Sequence, residues 1–287
     1  MTDSVSQTSV ERVDDRLGLA VERVILSSRT LVTYTRDHVV VRTPSHPHDA
    51  RGNTLDIVDV PPVDALPTWV KRFHDTVGML GATTVRLRME TPAGARLPDA
   101  LTDWFAAQNF TVTKRTVFLA NAATPVGRVH SDIRLLGDAP VGHDMMQDRM
   151  WFAADVLDKY RRGNTVDAYV PRDDTEYTET AEVLREHVIA KRARVFVAYR
   201  YGTPVGRIAA THDRQGLVVI HALVVHPVHR RKGFGTALLS AALAGYEQHT
   251  PKVRFGVSVE KGSPVAVMLE REHFWPHAEV VTAERAP

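Results

Sequence analysis

The stretch HALVVHPVHRRKGFGTALLSAAL, His221–Leu243, constrains the chain more than any other. An apolar run ends at Val225. A short polar turn follows, with Arg230, Arg231 and Lys232 in a row and Gly233 and Gly235 just after. An Ala- and Leu-rich stretch comes next, so the pattern predicts a buried strand, a turn and a helix. The first N–H groups of a helix have no partner inside it, and the helix dipole adds partial positive charge at the same end. A strand-to-helix loop that aims those groups outward is an anion site. Glycines let the backbone take positive φ and let a ligand approach closely. The three cations add full charges, and the group best suited to such a loop is a pyrophosphate.

The rest of the composition narrows the classes. Formal net charge is only +2 over 287 residues, so bulk charge does not argue for nucleic acid and the basic cluster needs a local explanation. The cations are not interleaved with aromatic residues, which also argues against a nucleic-acid surface. There is no cysteine, which excludes disulfides, a thiolate nucleophile and thiolate metal sites. No apolar run reaches the roughly 18 residues of a membrane span. The polar start MTDSVSQTSVERVDD carries no apolar segment of a secretion signal. The expectation is a cytoplasmic protein without membrane or nucleic-acid partners, and a flexible tail over residues 1–20.

Strands are predicted at 24–35, 38–42, 54–60, 84–89 and 111–120, with helices at 66–80 and 99–108. After a linker at 122–130, strands are predicted at 131–136, 194–199, 205–211, 217–225, 252–260 and 278–282. Helices fall at 144–162, 175–194, 236–246 and 264–271. This order is that of an α/β chain. A faint internal repeat runs through it. Val85–Met89 resembles Val253–Val257, Trp104–Phe110 resembles Met268–Phe274, and Pro62 matches Pro227, all at similar offsets. His46-Pro47-His48-Asp49 looks metal-like but has no second cluster at ligand spacing, so it reads as a surface loop.

Neither G-x-x-x-x-G-K-[ST] nor G-x-G-x-x-G is present at the basic turn, since Leu238 stands where the third glycine of the latter would be. What remains is R-x-x-G-x-G (Arg230, Gly233, Gly235). It is preceded by L-x-V-x-P (Leu223, Val225, Pro227) and, further upstream, by a hairpin whose second strand begins Pro204-Val205-Gly206. Together these resemble the acetyl-CoA-binding signature of the GNAT N-acyltransferase superfamily, over about Ser131–Thr282. The resemblance implies α/β tandem GNAT-like domains, each a mixed, mostly antiparallel central sheet flanked by helices. A degenerate copy would occupy 21–121 and a catalytic acetyltransferase domain 131–287.

The resemblance also assigns roles. Backbone N–H groups through Arg231, Lys232, Gly233, Phe234, Gly235 and Thr236 would hold the pyrophosphate of acetyl-CoA or another short acyl-CoA. Pantetheine would lie beside Leu223, Val224 and Val225 where the strand parts from its neighbour, and an N–H near Val225 would polarise the thioester carbonyl. No metal is implied. Direct transfer to a primary amine of a small molecule or peptide needs a base. An imidazole titrates near neutrality, which suits the task, and His221 by strand alternation shares a face with Leu223 and Val225; Glu260 is the second candidate. The family's usual Tyr acid falls on Leu269 and its usual glycine before Phe274 on His273, leaving Tyr246, a water or solvent as proton source. A non-catalytic acyl-CoA-binding regulatory module is the alternative. In the first half, the counterparts of Arg230, Gly233 and Gly235 are Ala65, Thr68 and Val70, with Asp64 where His229 stands, so that loop is expected to refuse a pyrophosphate.

Overall fold

The run Leu217–Val225 is a strand and the stretch from Phe234 a helix in the computed structural model, which describes residues 16–121, 133–136, 174–213, 215–247 and 253–286. The linker 122–130, the helix expected at 144–162 and nearly all of the loop before the next helix lie outside the described residues. The described chain divides into two compact units, one up to Val117 together with Pro276 onward, the other from Phe118 to Trp275.

Unit one runs α1 (Leu17–Val24), β1 (Leu31–Tyr34), β2 (His38–Arg42), β3 (Thr54–Ile57), α2 (Leu66–Thr76), β4 (Val85–Pro92), α3 (Asp99–Ala107) and the first part of β5 (Thr111–Asn121). Unit two holds the end of β5, then β6 (Ile133–Leu136), α4 (Asp174–Ile189), β7 (Ala193–Arg200), β8 (Thr203–His212), β9 (Leu217–Val225), α5 (Phe234–Glu247), β10 (Arg254–Glu260) and α6 (Pro264–Arg271). The chain then closes with β11 (Trp275–Arg285).

In unit one β1–β2 and β2–β3 are antiparallel, β3–β4 is parallel, and β11 lies antiparallel along β4 from Ala278↔Pro92 to Arg285↔Val85. The strand expected at the end of a 131–287 domain therefore completes the first sheet. Period-two alternation sends Leu87, Met89, Val281 and Ala283 to one face. There they meet Leu66, Phe73 and Val77 of α2 and its following turn, and Leu101 and Phe105 of α3.

The other face of this sheet carries a charged cluster beside the apolar Val39 and Val41. Arg88 Nε and Nη2 donate to Asp56 Oδ1 and Oδ2 at 2.7 and 2.9 Å, and Arg23 Nη1 donates to Asp56 Oδ2 at 2.9 Å. The two neighbouring cations hold Asp56 in place, and the Asp56 carboxylate pushes the Arg88 guanidinium up against the opposing effect of its burial. The Leu19 N–H donates to Glu90 Oε2 at 3.0 Å. These contacts seat α1, where the sequence reading has a tail to residue 20 and a strand from Val24. The helix escapes that reading because its inward residues include Gly18 and Glu22, which break the apolar stripe.

The His46–Asp49 turn is also different from expectation. His46 and Asp49 are 3% and 2% exposed, and Asn53 Nδ2 donates to both of their carbonyls, at 2.8 and 3.0 Å. It is a buried hydrogen-bonded knot, not a surface loop.

Unit two repeats the plan: β6–β7, β7–β8 and β8–β9 are antiparallel and β9–β10 parallel. Leu238, Leu239, Ala242, Leu243 and Tyr246 of α5 pack on Phe196, Ile208, Ala210, Val218, Ile220 and Phe255, with Phe118 and Ala120 from β5 in the same core. The internal repeat is explicit at the helix-to-strand joints. Gln108, Asn109 and Phe110 donate N–H to Trp104, Ala106 and Phe105, while Glu272, His273 and Phe274 donate to Met268, Glu270 and Leu269. Asn109 and His273 both take the left-handed conformation, φ 59° and 64°. That is why a glycine is favoured at this joint.

Candidate functional site

β9 and β10 pair only from Leu217↔Arg254 to Val219↔Gly256. Beyond that point β9 continues for six residues and β10 for four without pairing, so the two strands part and leave a gap between Ile220–Val225 and Val257–Glu260. An unpaired strand edge inside a sheet presents N–H and C=O groups that something must satisfy.

β9 is bulged at the mouth of this gap. Gly206 faces Val225 and Arg207 faces Val224, but Ala209 faces His221, so Ala222 and Leu223 together oppose Ile208. Ala222 takes φ 51°, a costly conformation for a residue with a Cβ. Close approach fixes the partner strand: a Cβ on Gly206 would stand 2.9 Å from the Val224 carbonyl oxygen.

The bulge changes which residues share a face. Leu223 and Val225 pack with Ile220 on the α5 side, whereas Ala209 and Ala222 pack with Val195, Val197 and α4. Simple alternation puts His221 with Leu223 and Val225. One extra residue reverses the phase, and His221 lies on the α4 side instead. There its Nε2 is 2.8 Å from Oγ1 of the buried Thr211. On β10, Phe255, Val257 and Val259 belong to the α5-side core, so alternation sends Ser258 and Glu260 to the α4 side. The two candidate bases thus share a sheet face and flank the gap from opposite strands. Extending the β9–β10 register brings Ser258 level with His221.

After Val225 the chain makes a single 3-10 turn, Pro227–His229, and enters α5 at Phe234. Arg231 and Gly233 take φ 61° and 86°. A Cβ on Gly233 would meet nothing within 4 Å, so glycine serves conformation there, not space. Gly235 is helical, and its missing Cβ leaves room for Met268 Sδ, 3.4 Å from the position a Cβ would take. Ala237 is the first residue of the helix whose N–H reaches back, to Gly233 O at 3.0 Å. Among the described residues, the amides of Arg231, Lys232, Gly233, Gly235 and Thr236 donate to no acceptor.

The cations divide their work. Arg230 Nε donates to Val225 O at 2.9 Å and Lys232 Nζ to Val228 O at 2.8 Å, so both brace the turn. Arg231 is exposed. Arg200, at the tip of the β7–β8 hairpin, comes within 3.5 Å of His229 Nδ1. Partial burial and the positive charges of Lys232, Arg200 and His226 push the His229 imidazolium down, as a positive local field requires.

Tyr246 and Leu269 offer no acid. Tyr246 donates its hydroxyl to Ala210 O at 2.8 Å inside the core, and burial pushes the phenol up to about 12, against the pull of Arg194. Leu269 is a core residue. The sequence carried no signal for the bulge at Ala222, for Thr211 or for Arg200. Among the described residues no three His, Asp or Glu side chains gather as a metal site, and no helix is long and apolar enough to cross a membrane.

The corresponding loop of unit one is built differently. Ala65 donates its N–H to Pro62 O at 3.1 Å, Pro67 in the first turn of α2 has no N–H to offer, and Asp64 is exposed in the acidic first turn. No glycine is present between Pro62 and Val77.

A mixed sheet whose parallel pair parts beside a glycine-bearing strand-to-helix turn defines an α/β domain. The acetyltransferase (GNAT) family model matches residues 156–261, and this stretch of the C-terminal half belongs to the GNAT family. That family uses acyl-CoA. Three solved structures resemble nearly the whole chain. A functionally unknown conserved protein from Staphylococcus epidermidis is 13% identical with a TM-score of 0.65, covering 88% of this chain and 92% of that one. A GCN5-related N-acetyltransferase from Kribbella flavida is 11% identical, TM-score 0.54, covering 99% and 97%. A tandem GNAT protein from the clavulanic acid biosynthesis pathway is 12% identical, TM-score 0.50, covering 98% and 96%. At these identities they show the fold, which is that of tandem GNAT domains. No curated protein matches the sequence.

Proposed function

We propose that this protein transfers an acetyl group from acetyl-CoA, or another short acyl group from its CoA thioester, directly to a primary amine of a small molecule or peptide. The observation that carries this reading is the parting of β9 from β10 directly before a turn in which the amides of Arg231, Lys232, Gly233, Gly235 and Thr236 donate to no acceptor. The pyrophosphate takes the amides between Arg231 and Thr236, with Gly233 supplying the left-handed turn. Pantetheine fills the gap as a strand would, against Leu223, Val224 and Val225. An N–H near Val225 stabilises the oxyanion as the amine attacks the thioester carbon.

In this reading His221 takes the amine proton as the C–N bond forms, with Glu260 as the second candidate on the same face. The C–S bond then breaks and the CoA thiolate takes its proton from solvent, since Tyr246 is locked to Ala210 O. The unit-one loop, with Asp64 and Pro67 and no glycine, does not hold the cofactor, and unit one serves as scaffold.

Calorimetry with acetyl-CoA on the full chain, beside a Gly233→Val/Gly235→Leu variant, tests the cradle. Binding by the wild type and its loss in a variant that keeps its melting transition is the expected result; equal affinity in both sinks the assignment. Thiol release from acetyl-CoA in the presence of spermidine, benzylamine and glycylglycine tests transfer. The locked Tyr246 and the buried Leu269 favour a second reading, a non-catalytic acyl-CoA-binding regulatory module, which predicts binding without amine-dependent thiol release.

A further inference from the structure

We propose that Arg200 and His229 form a second anion site beside the amide cradle, and that it takes the 3′-phosphate on the ribose of CoA. The inference rests on the reading of this turn as an acyl-CoA cradle, and adds which group of the cofactor the β7–β8 hairpin recognises. The first observation is the register of the sheet. β8 runs antiparallel to β9 with Gly206 opposite Val225, and the His226 N–H donates to Val205 O at 2.9 Å. The tip of the hairpin therefore stands against the turn that follows β9. Arg200 comes from the hairpin and His229 from the turn, and Arg200 Nη1 lies 3.5 Å from His229 Nδ1.

Charge is the second observation. Segments 199–204 and 225–236 hold Arg200, His226, His229, Arg230, Arg231 and Lys232 and no Asp or Glu. Aromatic rings steady the pair instead: Arg200 lies over Tyr201 at 5.3 Å, and His229 meets Phe234 edge-on at 6.2 Å. A guanidinium and an imidazolium this close repel, and partial burial with the charges of Lys232, Arg200 and His226 pushes the His229 imidazolium down. A dianion beside both groups reverses that sign and draws a proton onto His229. Arg230 and Lys232 are engaged with the carbonyls of Val225 and Val228. In the cradle reading the pyrophosphate takes the amides and the exposed Arg231, which leaves Arg200 and His229 for another anion. Acyl-CoA carries one more, a phosphate monoester one ribose away, with a charge of about −1.5 to −2 at neutral pH.

The test is calorimetry on the full chain with acetyl-CoA and with 3′-dephospho-acetyl-CoA, at about pH 7.5, where the monoester is already ionised. Wild type is expected to bind acetyl-CoA at least about tenfold more tightly, the equivalent of one charge-assisted hydrogen bond. Arg200→Met and His229→Gln, each checked for an unchanged melting transition, lower the affinity for acetyl-CoA towards that of the dephospho thioester. Their affinity for the dephospho thioester stays within about threefold of wild type, since the contact each removes is made only to the missing group. Repeating the titration in Pipes and in Tris reads the protons exchanged: wild type takes up a fraction of a proton with acetyl-CoA that is absent with the dephospho thioester and in His229→Gln. Equal affinity of wild type for the two thioesters, equal weakening of both in the variants, or equal proton uptake with both overturns this proposal alone, because the cofactor still binds. Binding of neither thioester removes the cradle reading and this proposal with it.

Discussion

Arg230 Nε donates to the Val225 carbonyl 2.9 Å away, closing the turn that joins β9 to α5. The residue that heads the R-x-x-G-x-G pattern thus acts first on its own loop. Arg230→Leu is expected to weaken acetyl-CoA binding by about tenfold, the equivalent of one charge-assisted hydrogen bond. Arg230→Lys recovers little, since an ammonium lacks the Nε fork. Calorimetry on both variants checks this, and full affinity in Arg230→Leu counts against the brace.

Gly206 and Gly233 are glycines for different reasons, and alanine separates them. At Gly206 the new Cβ stands 2.9 Å from Val224 O, a backbone atom, so Gly206→Ala forces β8 from β9 and costs about 1–3 kcal/mol. At Gly233 nothing is near, and only the left-handed φ is penalised, by about 1–2 kcal/mol. Thermal melts should show the larger loss for Gly206→Ala, and cofactor titration the larger loss for Gly233→Ala relative to its melting shift.

Tyr246 is a core residue with a polar tip. Tyr246→Phe removes a buried hydrogen bond to Ala210 O and is expected to cost about 1–2 kcal/mol in urea unfolding. Burial raises the phenol from 10.0 to about 12. The unfolded chain therefore loses its proton first, and wild-type stability falls as pH rises from 10 to about 12. Tyr246→Phe lacks that alkaline decline, and acetyl transfer by it at neutral pH equals wild type.

Asp37 governs an acid limb. Burial pushes its carboxyl up, but hydrogen bonds from His38, Arg72 and Thr35 and the charge of His38 outweigh that and bring it from 3.8 to about 2. Its folded value is depressed, so its stabilisation is present above 3.8 and lost as pH falls through about 2. The side chain is 55% exposed, and solvent screening keeps the effect below about 1 kcal/mol. Asp37→Asn should melt slightly lower than wild type at pH 7, with the difference vanishing near pH 2.

Asp56 and Arg88 are both fully buried. Asp56→Asn strands Arg88 and Arg23 without their carboxylate and is expected to cost about 3–5 kcal/mol. Urea titration that shows a loss under about 1 kcal/mol removes this pair from the account of how α1 is held.

The strength of the sequence reading follows the strength of the apolar pattern. Leu217–Val225 and Pro264–Arg271 are legible to the residue, because continuous or periodic apolar side chains and flanking turn residues mark both ends. The repeat is legible where Phe110 and Phe274 anchor equivalent joints, and the structure adds the matching left-handed residues, Asn109 and His273. α1 is not legible, since Gly18 and Glu22 interrupt its inward apolar residues, and the Arg23–Asp56 ion pair and the Leu19 N–H bond to Glu90 help seat it. The bulge is not legible either. Ala222 carries no turn signal, yet it decides that His221 faces Thr211 and not the side of Leu223.

The partnership of β11 with β4 sets an order of events. Residues 278–285 lie against Val85–Pro92, with the whole of unit two between them along the chain. Nascent unit one therefore leaves the ribosome with one edge of β4 bare, and it stays bare until those late residues emerge. A cut in the segment between the units yields a first fragment with an open sheet edge, prone to pair with copies of itself.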